Sequence, residues 1–117
     1  MALIQAGQVF VETATATIDI SEDTGNSTSV DVRGKKVLGI IMPSAMTGST
    51  FKLQFSLDDS TFKDVVNSGG TDQTFSFQAN DVVSVDQSIY GILSAGYVRI
   101  DSAGTETADR DFTLILG

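Results

Sequence analysis

The 117-residue chain contains no cysteine, no histidine and no tryptophan. Without cysteine it can form no disulfide bond and has no thiol nucleophile, and it also lacks the Cys and His ligands of most zinc sites. Without histidine, the usual base that activates a serine nucleophile is missing. These absences exclude most catalytic mechanisms, so we expect a protein that is not an enzyme, has no catalytic residues and holds neither a metal nor another cofactor.

Positive charge is also scarce. Seven Lys and Arg residues stand against fifteen Asp and Glu residues, which gives a net charge of −8, and the only adjacent cations are Lys35 and Lys36. Binding to nucleic acid or to an anionic membrane takes clustered cations, so we expect neither partner.

The N-terminus has no basic region before an apolar stretch, and no apolar window reaches ~18 residues. We therefore expect no signal peptide and no membrane span, and synthesis in the cytoplasm.

The residues that are abundant indicate β-structure. The chain has a single proline, eleven glycines and many Ser and Thr residues, and short segments of alternating apolar residues recur between polar turns. The strand spacing of ~8–12 residues is typical of sandwiches. We predict an all-β fold: a single antiparallel β-sandwich of jelly-roll type, with eight or nine short strands, in which residues 1–117 form one domain.

The clearest alternation lies in residues 51–58. Phe51, Leu53, Phe55 and Leu57 alternate with polar residues, which predicts a strand with one buried face and with Lys52 on the solvent face. Residues 58–61 then predict a turn into a returning strand over 62–66.

Two other segments predict local irregularities. The apolar residues 37–42 predict a central strand covered on both faces, with a bulge or a close neighbour at Gly39. In the N-terminal segment the alternation changes parity near Glu12 and Thr13, which predicts a bulge or bend there. We predict that residues 1–16 form an arm or strand that contacts a neighbouring subunit, and the candidate partner-contact residues are Val9, Phe10 and Val11.

Several polar residues allow a functional interpretation but do not require one. Glu22, Asp23 and Asn26 share one loop and Asp58 and Asp59 share a turn, and all five offer oxygen ligands for calcium. The EF-hand pattern is absent, so we interpret them as turn formers.

Ser49 and Lys52 match the bare Ser-x-x-Lys spacing, but Lys52 falls on a predicted strand rather than on the required helix. Arg99 is interpreted as one half of a surface ion pair with an Asp in preference to a ligand contact.

Four segments together resemble small proteins encoded among the structural genes of tailed bacteriophages. Residues 37–45 contain the pattern LGIxMP-S-A, residues 96–102 contain (Y/F)-(V/L)-(R/K)-I-x-S, and residues 112–116 form the closing segment. Residues 51–64 follow the pattern F-x-x-S-x-D-(G/D)-x-x-(F/Y)-x-D from Ser56 to Asp64, with Leu53 at the position of its first Phe. The resemblance covers roughly residues 36–117 and does not include residues 1–35. The second motif also occurs in carbohydrate-binding β-sandwich modules.

The resemblance implies a capsid decoration, or cement, protein of the virion. Such a protein would bind the major capsid protein on the outside of the shell, reinforce the shell and form homo-oligomers, with a trimer expected. The alternative is a carbohydrate-binding module of a phage tail or baseplate. The lack of Trp disfavours this alternative, because sugar rings usually stack on aromatic side chains.

Overall fold

The computed structural model describes residues 11–22, 25–66, 74–76, 78–102 and 106–117. These residues form nine β-strands: β1 (Glu12–Ile18), β2 (Val30–Asp31), β3 (Val37–Ile41), β4 (Thr50–Ser56), β5 (Lys63–Asp64), β6 (Thr74–Ser76), β7 (Val82–Ser84), β8 (Tyr97–Asp101) and β9 (Arg110–Leu116). All the strand pairings are antiparallel. The predicted all-β class and the number of strands are therefore confirmed.

The strands form two sheets that pack as a sandwich. Sheet A has the order β1-β9-β3-β7, and sheet B has the order β2-β8-β4-β5, with β6 also paired to β4. Because β8 occupies one edge of β4, β5 and β6 lie end to end along its other edge. The chain changes sheet at most connections, and the jelly-roll connectivity stays a prediction.

The core lies between the inner faces of the two sheets. Phe51 of β4 and Phe112 of β9 are both buried, and their ring centroids lie 6.0 Å apart across the sandwich. The other large side chains that are almost completely buried are Ile18, Ile40, Leu53, Leu93, Ile100, Leu114 and Leu116. Burial of this apolar surface is the main force that holds the sheets together.

β4 follows the predicted alternation only over its first part. Phe51 and Leu53 are buried, but Phe55 is half-buried and Ser56, not Leu57, is the next buried residue. Leu57 is 74% exposed. The prediction that Leu57 belongs to the buried face is wrong, because β4 ends at Ser56 and Leu57 lies exposed in the turn that follows.

β3 is an interior strand of sheet A, but its outer face is not covered. Ile40 is fully buried, whereas Ile41 is 37% exposed, so the prediction of a strand buried on both faces is wrong. The predicted irregularity at Gly39 is confirmed, since the register with β9 shifts between Val37 and Gly39. A Cβ on Gly39 would lie 2.9 Å from the Val83 carbonyl oxygen, which explains why glycine fits there.

A short helical segment connects β7 to β8, and the strand analysis of the sequence did not predict it. A 3-10 turn at Gln87–Ile89 continues into the four-residue helix α1 (Tyr90–Leu93). Ile89 and Leu93, four residues apart, are the buried residues of this segment and cover one end of the core.

β1 is regular over its whole length. Its register with β9 runs unbroken from Glu12 to Ile18, so the bulge predicted near Glu12 and Thr13 is not present. Ala14, Ala16 and Ile18 pack against the core, as the alternation predicted. Of the candidate partner-contact residues, Val9 and Phe10 lie outside the described residues, and Val11 directly precedes β1 with 56% of its surface exposed.

Candidate functional site: the outer faces of the two sheets

The outer face of sheet A is almost free of charge. Its residues alternate with core residues along four adjacent strands, and we call it the threonine face. It consists of Thr13, Thr15 and Thr17 of β1, Asp111, Thr113 and Ile115 of β9, Gly39 and Ile41 of β3, and Val82 and Ser84 of β7.

The register of the strands brings these residues into lateral contact. Ile41 lies between Thr113 and Val82, and Ile115 lies between Thr13 and Gly39. Val82 is 65% exposed, the highest value among the apolar residues of this face. The charged residue of the face, Asp111, accepts a hydrogen bond from the Thr17 hydroxyl at 2.7 Å. In a protein of net charge −8, this face thus presents mainly Thr, Ile and Val side chains.

The outer face of sheet B is polar and carries both signs of charge. Arg99 of β8 donates from Nε to the Gln54 side-chain oxygen at 2.7 Å, and Gln54 in turn donates to Asp64 at 2.8 Å. Lys52 lies 3.6 Å from the other oxygen of Asp64. Lys52 therefore lies on the solvent face of β4, as predicted, and the polar side chains of this face bind one another.

Two arginines, Arg99 of β8 and Arg33 in the turn after β2, stack on aromatic rings. The Arg99 guanidinium lies 4.2 Å from the centroid of Phe62, and that of Arg33 lies 5.0 Å from the centroid of Tyr97. The ion pair predicted for Arg99 is not what the structure shows: its contacts are with Gln54 and the Phe62 ring. Cation–π contacts of this type fix both partners on the surface.

Beyond the end of β4, the inner side of sheet B opens into a shallow pocket. The pocket has a volume of about 380 Å³ and is lined by Phe55, Leu57, Lys63 and residues of the β4–β5 turn. It results from the position of Leu57, which continues the inner side of β4 past the cover provided by sheet A. Most of the pocket wall is apolar, and its polar lining residues are Ser56, Asp58, Thr61 and Lys63.

The acidic residues of the turns have structural roles. Asp58 accepts hydrogen bonds from the backbone N–H of Thr61 and from Ser56 and Ser60, and these bonds lower the pKa of Asp58 to about 2. This is the role predicted for a turn residue. Asp31 similarly has its pKa lowered to about 2 by its hydrogen bonds with Arg33.

The proposed calcium ligands are not brought together by the described residues. Asn26 forms an isolated bridge with Asp101, far along the chain from Asp58 and Asp59. Asp23 and the Glu22 side chain lie outside the described part of the structure. Among the residues that are described, no group of three or more acidic side chains is placed to hold a metal ion.

Glu106 is the charged residue that sequence reasoning missed. Its side chain is almost completely buried, and it accepts hydrogen bonds from the backbone N–H groups of Thr47 and Gly48 at 2.8 and 2.6 Å and from Arg110 at 2.9 Å. Burial raises the pKa of the Glu106 carboxyl, but these three donors outweigh burial and hold the pKa below its usual value. The hydrogen bonds of Glu106 thus connect the segment before β4 to the segment before β9.

Comparisons of the chain with models of protein families, with curated proteins and with solved structures found no match. None of the helices in the described residues is long and apolar enough to cross a membrane.

Proposed function

We propose that the protein is a non-enzymatic virion structural protein that binds the outside of a bacteriophage capsid through the threonine face and reinforces the shell. The observation that carries the proposal is the contrast between the two outer faces. The threonine face holds one charged residue, Asp111, in a chain of net charge −8, and it exposes Ile41 and Val82 to solvent.

The partner in this proposal is the major capsid protein. Water released from Ile41, Val82 and Ile115 on contact would supply the driving force, and the threonine hydroxyls would bond at the rim of the interface. The acidic groups elsewhere on the chain would face solvent and keep decorated particles apart. Each contact can be of ordinary strength, because copies that also contact one another on a closed shell bind by multivalency.

The order of the strands supports the same proposal. Successive strands lie in opposite sheets from β1 to β4 and again from β7 to β9, and each sheet places its strands out of chain order. We propose that this is the jelly-roll connectivity expected from the sequence, an architecture used in viral capsid proteins.

The proposed surface can be tested with Val82→Glu. A carboxylate within the interface must lose its hydration there, so we expect capsid affinity to fall about tenfold or more, a change of at least ~1.4 kcal/mol. Val82 is mostly exposed, so the free energy of unfolding should change by no more than about 0.5 kcal/mol. The measurement is co-sedimentation of purified protein with undecorated capsids.

The matched control is Leu57→Glu, which introduces the same charge at an exposed apolar residue outside the threonine face. We expect Leu57→Glu to bind like the wild type. Equal binding by Val82→Glu and the wild type, or a loss confined to Leu57→Glu, would exclude the threonine face as the capsid-binding surface.

The polar face of sheet B supports the alternative, a carbohydrate-binding module. Its Gln54, Asp64 and Arg99 side chains are of the types that bind sugar hydroxyls, and Phe62 and Tyr97 lie beside them. We favour capsid binding because these polar groups already bond to each other and both rings are stacked by arginines. Binding to host surface glycans that is lost in Gln54→Ala would reverse this preference.

A further inference from the structure

β1 is a long edge strand whose outer edge is covered at Thr17 and Ile18 by Ser27 and Thr28 and is open before them. It spans seven residues and lies at the border of sheet A, where its strand partner is β9 alone. The other border strands of the described structure are much shorter: β7 and β6 have three residues each, and β2 and β5 have two. Natural proteins commonly shorten or interrupt edge strands to prevent pairing with another chain, so a long edge indicates that pairing is used.

The backbone groups of this edge are available for pairing. Thr17 directs its backbone N–H and C=O away from β9, because both groups bond to Thr28. The N–H donates to the Thr28 hydroxyl at 3.0 Å, and the C=O accepts from the Thr28 N–H at 2.8 Å. Alternate residues of a strand direct these groups to the same side, so Thr13 and Thr15 also present theirs to the outside. Within the described residues, the backbone groups of Thr13 and Thr15 have no hydrogen-bond partner on that side.

The edge also carries no charge that would repel a second copy. Residues 13–18 are uncharged, and Glu12 is bound by Lys35 at 2.9 Å. In a chain of net charge −8, this is a segment where two identical copies can approach without electrostatic repulsion. Lys and Pro, which usually protect sheet edges, are absent from it.

We propose that the free edge of β1, residues 12–16, pairs antiparallel with β1 of a second copy of this chain about a twofold axis. The register places Thr13 opposite Thr15 of the second copy, so each such pair exchanges both backbone hydrogen bonds. Ala14 then lies opposite Ala14 of the second copy. We infer a second copy of this chain as the pairing partner, because among the described border strands only β1 itself has an edge of matching length.

This pairing would join two copies of sheet A into one continuous sheet. The threonine side chains of the two copies would lie beside each other, where cross-strand Thr pairs can bond. The threonine face would then be twice as large. This inference rests on the function proposed for that face and adds to it. A twofold contact makes a dimer the basic unit, in place of the trimer that the resemblance implies.

The register can be tested with Ala14→Cys, because the chain contains no cysteine and any disulfide must join two copies. Ala14 would form a pair without backbone hydrogen bonds, in which the Cα atoms lie ~4.5 Å apart, within the range for a disulfide. We expect a covalent dimer after mild oxidation, seen by non-reducing electrophoresis. Thr113→Cys, on the same sheet but on β9, is the control and should remain uncrosslinked.

The noncovalent dimer provides a second measurement. Light scattering with size-exclusion chromatography should give a dimer mass for the wild type and a monomer mass for Thr15→Pro. Proline at residue 15 removes a backbone N–H that points to the free edge of β1, so no hydrogen bond within the described residues is lost. Circular dichroism verifies that the variants fold. A wild-type monomer or trimer, or crosslinking of Thr113→Cys equal to that of Ala14→Cys, would overturn the proposal. Capsid binding by a monomer would leave the proposed function standing while excluding this dimer.

Discussion

At the scale of single residues, the most consequential group is the buried carboxylate of Glu106. It is the acceptor for two backbone N–H groups and for Arg110, and the same arginine reaches the Thr47 hydroxyl at 3.3 Å. A buried charge with three donors stabilises the structure only while it is ionised. No local pattern in the sequence distinguishes this glutamate from the other acidic residues, because its two backbone donors come from Thr47 and Gly48, 59 and 58 residues earlier in the chain.

Replacing Glu106 with Gln should destabilise the fold. The amide keeps the shape but loses the charge, and Arg110 is left without its ionic partner, so we expect a loss of about 1–3 kcal/mol in the free energy of unfolding. Glu12→Gln, which removes an exposed ion pair with Lys35, is the control and should cost less than about 1 kcal/mol. Urea unfolding at pH 7 measures both, and equal losses would mean that Glu106 contributes no more than a surface charge.

The wild type and Glu106→Gln should respond differently to acid. Since the folded pKa of Glu106 lies below its ordinary value, its stabilisation is present above that ordinary value and is lost as the pH falls through the folded pKa. The lowered pKa values of Asp31 and Asp58 have the same effect. The stabilisation that these two carboxylates provide is lost as the pH falls from the ordinary Asp pKa to about 2. The wild type should therefore lose stability as the pH falls below about 4.5, the ordinary pKa of Glu, and its advantage over Glu106→Gln should shrink as the pH falls further.

At the scale of elements, regular alternation predicted the strands well where both sheets cover them. Phe51 and Leu53 of β4 and Ala16 and Ile18 of β1 are buried as the sequence indicated. The prediction was wrong at Leu57, because alternation alone does not indicate where the opposite sheet ends. It was wrong at Ile41 for the related reason that an apolar run does not reveal whether a partner covers its second face.

The tight junction between α1 and β8 gives a prediction at this scale. A Cβ on Gly96 would lie 2.2 Å from the Ser56 carbonyl oxygen and 2.9 Å from the Phe55 ring, so Gly96→Ala forces the end of β4 to move. We expect a loss of about 1–3 kcal/mol. Gly91→Ala within α1, where the added Cβ meets nothing within 4 Å, should be neutral or stabilising by up to about 1 kcal/mol.

Thermal unfolding of the two alanine variants provides the measurement. A melting temperature for Gly96→Ala equal to or above that of Gly91→Ala would contradict the close approach between residue 96 and the end of β4.

At the scale of the whole molecule, the sequence could predict the sandwich but not its two contrasting faces. The alternation of Thr13, Thr15 and Thr17 with core residues is visible in the sequence. That these threonines lie beside Ile115, Ile41 and Val82 depends on pairing between strands distant in the chain. Likewise, the free edge of β1 follows from the strand order, which no local pattern fixes.

The central claim is that the threonine face binds the outside of a capsid. Electron microscopy of phage particles that carry the protein tests it most directly. We predict density at regular positions over the shell, with sheet A facing the capsid and sheet B facing solvent. Density confined to the tail, or copies seated on the shell through the polar face of sheet B, would contradict the account.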